Sequence, residues 1–440
     1  MLDLDPLTVT LGMFASMLVL LILGAPLTWC LLIVGTGSAY LLWGTNGLQI
    51  LATSTFSSMD NFILVALPMF IFMGLMLQRS GITDDMFDMV YKLMGSVPGG
   101  LGVGTVIICA IIAAMAGVSG AATVSLGLIA LPAMLKRGYD KQLATGTIMA
   151  GGALGFLIPP SVLMIVYAFL ARESIGKLFA AGVIPGLMLA SIYILYIIIR
   201  SRISPKLAPP IPKEDRVDFK GKIISLKAMI LPSILIATVL GCIVSGVTTP
   251  SEASAIGAAG SIVLAMIYRT LSMSILKDVL RSTTSIMGML IWIALAAVFF
   301  SKIYIGLGAG SLIGELIEDS SLSPYWIIIA MLVCYFILGM FLDDFAIVFI
   351  TIPLFVPIVR DLGFDTIWFA VLFIISMQTA YITPPFGYNL FYMRSVAPPE
   401  ITIYDLYKAT LPFVALQIIG LGLVVTFPQI ALWLPNLIFG

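Results

Sequence analysis

Long apolar runs repeat along the whole chain, separated by short polar or glycine- and proline-rich breaks. A run of about 20 apolar residues is the length at which a helix crosses a bilayer. Residues 7–24, 27–43 and 61–78 read as the first three such helices, and 178–199, 228–245, 253–268, 286–303 and 411–434 follow the same pattern. Two stretches depart from it by placing charges at helical spacing among apolar residues. Residues 83–96 mix Asp84, Asp85, Asp88 and Lys92 with Met, Phe, Val and Leu, and residues 272–282 carry Lys277, Asp278 and Arg281. Both predict helices lying along the membrane interface. A further surface helix is expected around Glu315, Glu318 and Asp319.

Four stretches are apolar but interrupted. Residues 103–135 break at Gly117–Gly120, and 325–359 break at Phe341-Leu342-Asp343-Asp344; each predicts a re-entrant helical hairpin with arms of roughly 15 residues, short of a full span. Residues 142–170 break at 155–161, and 366–393 break at 379–387; each predicts a discontinuous helix. The expected architecture is ten spans plus two hairpins. It divides into a scaffold (1–96), a first repeat (97–199), a basic linker (200–227), further scaffold spans (228–324) and a second repeat (325–440).

Spacing points to an internal repeat. Shifted by 225 positions, 118–160 lies on 343–385 without a gap. Ala121, Pro132, Gly138, Asp140, Pro159 and Pro160 fall on Ala346, Pro357, Gly363, Asp365, Pro384 and Pro385. Tyr139 falls on Phe364, and Phe156 on Tyr381. Most identities sit at helix-breaking residues. Five spans separate the hairpins, an odd number, so the second copy is expected upside down relative to the first. Interrupted segments at matching places in two halves point to a transporter's binding site.

Composition narrows the class. The 440 residues are 60% hydrophobic and 10% charged, against about 25% charged in soluble domains. An all-α polytopic membrane protein follows, with the lipid bilayer as its surroundings. The formal net charge is zero, which offers nucleic acid no electrostatic footprint. There is no His, which removes the usual general base, proton relay and metal ligand. Cys30, Cys109, Cys242 and Cys334 lie inside apolar runs and read as packing residues. No GxxxxGK[ST] occurs, so no P-loop for ATP is expected. An intramembrane enzyme and a channel are the disfavoured alternatives.

Charge also sets orientation. No Lys or Arg precedes Arg79, whereas 200–227 is dense in both. By the positive-inside rule the N-terminus lies outside and this linker inside. The first apolar run lacks a basic leader and a cleavage site, and reads as a retained span.

Chemistry is expected at the breaks. A proline lacks an N–H and its ring displaces the carbonyl one turn back. Carbonyls freed in this way are suited to a dehydrated Na⁺. One candidate cation site comprises Ser119, Gly120, Gly155, Ile158 and Pro159; the other comprises Asp343, Asp344, Thr379, Thr383 and Pro384. Ser119 aligns with Asp344, a hydroxyl against a carboxylate. A membrane-embedded Asp costs roughly 2.5–3.5 kcal/mol at a helix centre, which makes Asp343 and Asp344 functional candidates. The alternative role is capping the helix that follows. Helix N-termini at the breaks favour anions. An anionic substrate between the tips is placed near Ser119, Ser161, Asp344 and Gly387.

These stretches resemble the large membrane subunit of tripartite ATP-independent periplasmic (TRAP) transporters, the DctM-like family. The matching segments are LPMFIFMG (67–74), GVSGAA (117–122), KRGYD (136–140), GGALGFLIPPS (151–161), TPSEA (249–253) and GMFLD (339–343). Ser251 stands where Thr is expected in the family, and Phe156 where a smaller residue is common. The resemblance implies a permease in the bacterial inner membrane with a periplasmic N-terminus. It implies Na⁺-coupled uptake of an organic acid, without ATP or an organic cofactor, by an elevator motion of the part bearing both hairpins. It further implies a small four-span membrane subunit and a soluble periplasmic substrate-binding protein as partners. One Na⁺ would sit between the Ser119–Gly120 tip and the 155–160 break, the second between the Asp343 tip and the 379–384 break. A stand-alone Na⁺/dicarboxylate carrier of related fold is the alternative.

Overall fold

A computed structural model describes residues 5–94, 97–117, 119–210, 218–308 and 323–440. Among these the chain is helical without strands. The first half contains α1 (Pro6–Ile22), α2 (Leu27–Trp43), α3 (Thr45–Met59), α4 (Ile63–Arg79), α5 (Ile82–Met94), α6 (Gly100–Ala116), α7 (Ser119–Lys136), α8 (Lys141–Ala153), α9 (Val162–Ala171) and α10 (Ile175–Ile203). The second contains α11 (Phe219–Ser225), α12 (Lys227–Val244), α13 (Pro250–Ile267), α14 (Met273–Gly306), α15 (Pro324–Gly339), α16 (Asp344–Asp361), α17 (Thr366–Tyr381), α18 (Tyr388–Val396), α19 (Ile403–Thr426) and α20 (Gln429–Phe439). Large apolar side chains such as Leu11, Ile22, Phe62 and Trp326 stand exposed, as a bilayer-facing surface allows.

Six of the described helices are long and apolar enough to cross a membrane: α7, α10, Gly221–Val244, α13, α14 and α19. Counting the bent pair α3–α4 as one crossing makes seven. The expected ten full spans therefore do not all appear as single helices of spanning length. Helices α1 and α2 have 17 residues each, and α15 and α17 have 16. Glycines end the first two: Gly24, at φ 82°, follows α1, and Gly44, at φ 63°, stops α2. The hairpin arms are longer than expected, at 17, 18, 16 and 18 residues for α6, α7, α15 and α16.

Three further differences follow from local chemistry. Helix α3 was not expected, because TNGLQILATSTFSSM is too polar to read as a span. Its hydroxyls bond back along the helix: Thr55 Oγ1 donates to the Leu51 carbonyl at 2.8 Å and Ser58 Oγ to the Ser54 carbonyl at 2.8 Å. It meets α4 at 57° across residues 60–62. The expected break between residues 282 and 286 does not exist: α14 runs unbroken for 34 residues. Within it Thr284 Oγ1 donates to the Leu280 carbonyl at 2.9 Å, so a polar stretch stays helical. Conversely, the expected span 411–434 is divided at Phe427, whose ψ of 80° is non-helical and which precedes Pro428. The basic linker is described except for 211–217, and the acidic surface helix around Glu315 lies outside the described residues.

The most buried helices are α8 and α17. Every residue of α8 from Leu143 to Ala153 and every residue of α17 is buried. Each opens with the same chain reversal. Gly138 and Gly363 both stand at φ 78°, a conformation glycine adopts without a Cβ clash. Two residues on, Asp140 and Asp365 cap the next helix. Asp140 Oδ1 accepts from the Gln142 and Leu143 amides at 3.1 and 2.9 Å. Asp365 Oδ1 accepts from the Ile367 and Trp368 amides at 2.7 and 3.1 Å. The Gly-aromatic-Asp motif is thus a stop signal followed by a start signal. Burial pushes the Tyr139 phenol up to about 12, so it stays neutral and accepts from the Leu101 amide at 3.2 Å.

Candidate functional site

Each buried helix ends in the irregular turn that the proline pair imposes. After α8 the chain makes a single tight turn at Leu154–Phe156 and stays non-helical until Ser161 caps α9. After α17 it is irregular from Ile382 to Gly387, where α18 begins. Both proline–proline bonds are cis.

The first tip packs directly on the first turn. The Val162 amide donates to the Gly117 carbonyl at 3.1 Å. Gly117 sits at φ 65°, and a Cβ there would stand 2.9 Å from the Pro160 carbonyl oxygen, so two independent constraints select glycine. Ser161 Oγ donates to the Phe156 carbonyl at 2.7 Å and accepts from the Met164 amide at 3.4 Å. The Ile158 amide donates to the Leu154 carbonyl at 2.9 Å.

Ser119 reaches across the molecule. Its Oγ donates to Asn389 Oδ1 at 2.9 Å, and Asn389 Nδ2 donates to the Met149 carbonyl at 3.0 Å. Asn389 is fully buried on α18 and joins three helices, α7, α8 and α18. Nothing in the sequence marks it, because a lone Asn past a break carries no sign of a contact 270 residues away. Gly120 lies against the Tyr392 ring, where a Cβ would be 2.7 Å away.

At the second tip the two aspartates divide. Asp343 Oδ1 accepts from the Ala346 amide at 2.8 Å and caps α16. Asp344 is buried, 7% exposed, and accepts from the Tyr381 hydroxyl at 2.7 Å. Thr379 Oγ1 donates to the Ile375 carbonyl at 2.6 Å and Thr383 Oγ1 to the Thr379 carbonyl at 2.7 Å. Those bonds use the protons and leave hydroxyl lone pairs available. A Cβ on Gly387 would stand 2.6 and 2.8 Å from the Tyr381 and Thr383 carbonyl oxygens, so two oxygens converge where a side chain is missing.

The first turn touches the last residue of α17, where the second turn begins. Phe156 and Tyr381, which coincide under the 225-residue shift, meet edge-to-face at 4.7 Å between ring centroids. Beside them lies a cavity of 380 Å³ lined by Ser119, Gly120, Phe156, Asp344, Tyr381 and Tyr392, with α4 and α14 contributing Gln78 and Met289. Of the expected site residues, the structure brings Ser119, Gly120 and Asp344 to this cavity. Ser161 and Gly387, expected beside the cargo, do not line it; they lie in the two turns. Gly155, Ile158, Pro159, Asp343, Thr379, Thr383 and Pro384 also lie off its wall, at the turns or the second tip. The oxygens there are carbonyls and hydroxyls, with the Asp343 carboxylate at the second tip, a donor set that suits Na⁺. Among the described residues no cluster of three His, Cys, Asp or Glu would hold a metal ion by side chains alone.

A profile described as "Tripartite ATP-independent periplasmic transporter, DctM component" matches residues 14–430. The chain is 32% identical over 399 residues to a C4-dicarboxylate TRAP transporter large permease protein of Pseudomonas aeruginosa, covering 90% of this chain and 91% of that one. It is 28% identical to an ectoine TRAP transporter large permease protein of Halomonas elongata, covering 97% and 99%. Its fold is similar to the crystal structure of the Alcanivorax borkumensis YdaH transporter, with a TM-score of 0.69, 15% identity and coverage of 97% and 99%.

Proposed function

The chain belongs to the DctM component family of tripartite ATP-independent periplasmic transporters, and from that premise we propose that it is the permease of a Na⁺-coupled organic-acid importer of the bacterial inner membrane. The observation that carries this reading is the pair of tip-and-turn assemblies meeting at one cavity. Each assembly offers main-chain oxygens to a dehydrated cation, and the cavity between them offers cargo a place beside both. Occupation of the turns by Na⁺ fixes the tips and so sets the shape of the cavity.

The two assemblies are inverted repeats, with α8–α9, α10, α12, α13 and α14 as the odd number of crossings between them. Exchange of roles between the halves gives alternating access. The buried helices, tips and turns move together as an elevator against the remaining spans. A small four-span membrane subunit and a periplasmic binding protein complete the system, as the family's description as tripartite suggests. The N-terminus is periplasmic and the 200–227 linker cytoplasmic.

Uptake into proteoliposomes tests this. The complete complex should accumulate cargo when external Na⁺ is present and ATP is absent. Equal uptake after replacement of Na⁺ by choline would falsify coupling. Efficient uptake by this chain alone, without a binding protein, would instead support a stand-alone Na⁺/dicarboxylate carrier.

A further inference from the structure

We infer that the cargo carries a cationic centre beside its carboxylate, and is a zwitterion rather than a dicarboxylate. The inference rests on the importer reading and deepens it. It comes from the charges and rings that line the cavity. Among the described lining residues there is no Lys or Arg, and Asp344 is the single charged side chain. Asp344 is buried and held by the Tyr381 hydroxyl, so it faces the cavity in a fixed position. Four rings, from Phe156, Phe345, Tyr381 and Tyr392, share the wall with it. A carboxylate set among aromatic rings is an environment for an ammonium or other cationic carbon–nitrogen group.

The opposite tip has the opposite preference. The first turn of α7 contains no acidic residue, whereas that of α16 contains Asp344. Ser119 and Gly120 bring the N-terminal end of α7 to the cavity, and the helix dipole there favours an anion. The cavity wall therefore offers the N-terminal end of α7 to a negative group and the Asp344 carboxylate to a positive one. A dicarboxylate would set its second carboxylate against Asp344, an arrangement of like charges in a partly dry site.

Matched pairs of probes test this. Each pair shares a carbon skeleton and differs by an ammonium: propionate with β-alanine, butyrate with 4-aminobutyrate, and 4-methylbenzoate with 4-(aminomethyl)benzoate; succinate is the dicarboxylate comparator and should bind more weakly than 4-aminobutyrate. The purified permease complex is titrated with each in NaCl and in choline chloride, and binding is read from the thermal midpoint. The ammonium-bearing member should bind about tenfold or more tightly in at least one pair, because it gains a charge-assisted hydrogen bond to Asp344. Asp344→Asn should abolish or reverse that ranking, and Asp344→Glu should keep it. If Asp344→Asn does not fold, Tyr392→Leu should still narrow the preference by removing one ring. Equal or better binding of the ammonium-free member in every pair, no binding by any probe, or a ranking indifferent to both Asp344→Asn and Tyr392→Leu would overturn the proposal. The importer reading is judged separately: it fails if binding is the same in Na⁺ and choline, whatever the ranking.

Discussion

The two halves solve one packing problem with different residues. In the first, α8 is buried through small side chains. A Cβ on Gly146 would lie 2.4 Å from the Ala409 carbonyl oxygen, on Gly151 2.6 Å from the Cys109 sulfur, and on Gly152 2.1 Å from Thr123 Oγ1. Neighbouring helices approach its backbone directly. In the second, α17 is buried through bulk, with Trp368, Phe369 and Phe373 fully enclosed. The tips differ in the same sense. The first offers a hydroxyl, tied by Asn389, and the second a carboxylate, tied by Tyr381. Shared turns with unlike linings teach that backbone geometry and the chemistry of the cavity wall are specified by separate residues. The prolines, the glycines and the capping aspartates set the first; the side chains at the tips contribute to the second.

The largest expected effect comes from erasing the difference in bulk. Gly146→Leu should leave little folded protein in detergent, because the backbone carbonyl of Ala409 cannot move aside, and overpacking costs about 1–3 kcal/mol even where neighbours can adjust. At the matching position Val371→Ala should only open a small void, at about 1–3 kcal/mol, read as a lower thermal midpoint. Equal tolerance at both positions would break the comparison. Next in size is the difference in charge. Asp344→Asn should lower uptake at limiting Na⁺ by about ten- to a hundredfold, as expected for loss of a hydrogen bond to a charged group. Ser119→Ala should lower it by about fivefold, the scale of one neutral hydrogen bond. Smaller still, Asp343→Asn should change stability by under about 0.5 kcal/mol, since Asn caps a helix nearly as well as Asp. Its Na⁺ activation curve should shift to higher concentration. Normal Na⁺ activation in both aspartate variants would remove the carboxylates from Na⁺ coupling. No effect on uptake is expected from Lys213→Cys in a background without other thiols. That cysteine should stay unlabelled by an impermeant reagent from outside, and ready labelling would reverse the orientation of both halves.

The breaks were legible in the sequence because proline and glycine act locally. Pro159-Pro160 and Pro384-Pro385 interrupt helices wherever they stand, and Gly138 and Gly363 reverse the chain by themselves. Hydropathy was a poorer guide to continuity. Thr284 and Ser58 are polar by composition, yet their hydroxyls return to carbonyls of their own helices, so α14 is longer and α3 exists where neither was expected. Side-chain partnership was the least legible. Asp343 and Asp344 are chemically identical neighbours, and only the folded chain turns one toward its own helix and the other toward Tyr381. Asn389 needed three distant segments to meet before its role existed.

The edge-to-face contact between Phe156 and Tyr381 links the two halves with no intervening chain. On the importer reading, a shift at one proline turn is expected to reach the other, so Na⁺ at the first should favour Na⁺ at the second. The response of uptake to sodium concentration should consequently be sigmoidal. Phe156→Ala should flatten that curve toward a simple hyperbola while leaving the maximal rate less affected than the slope.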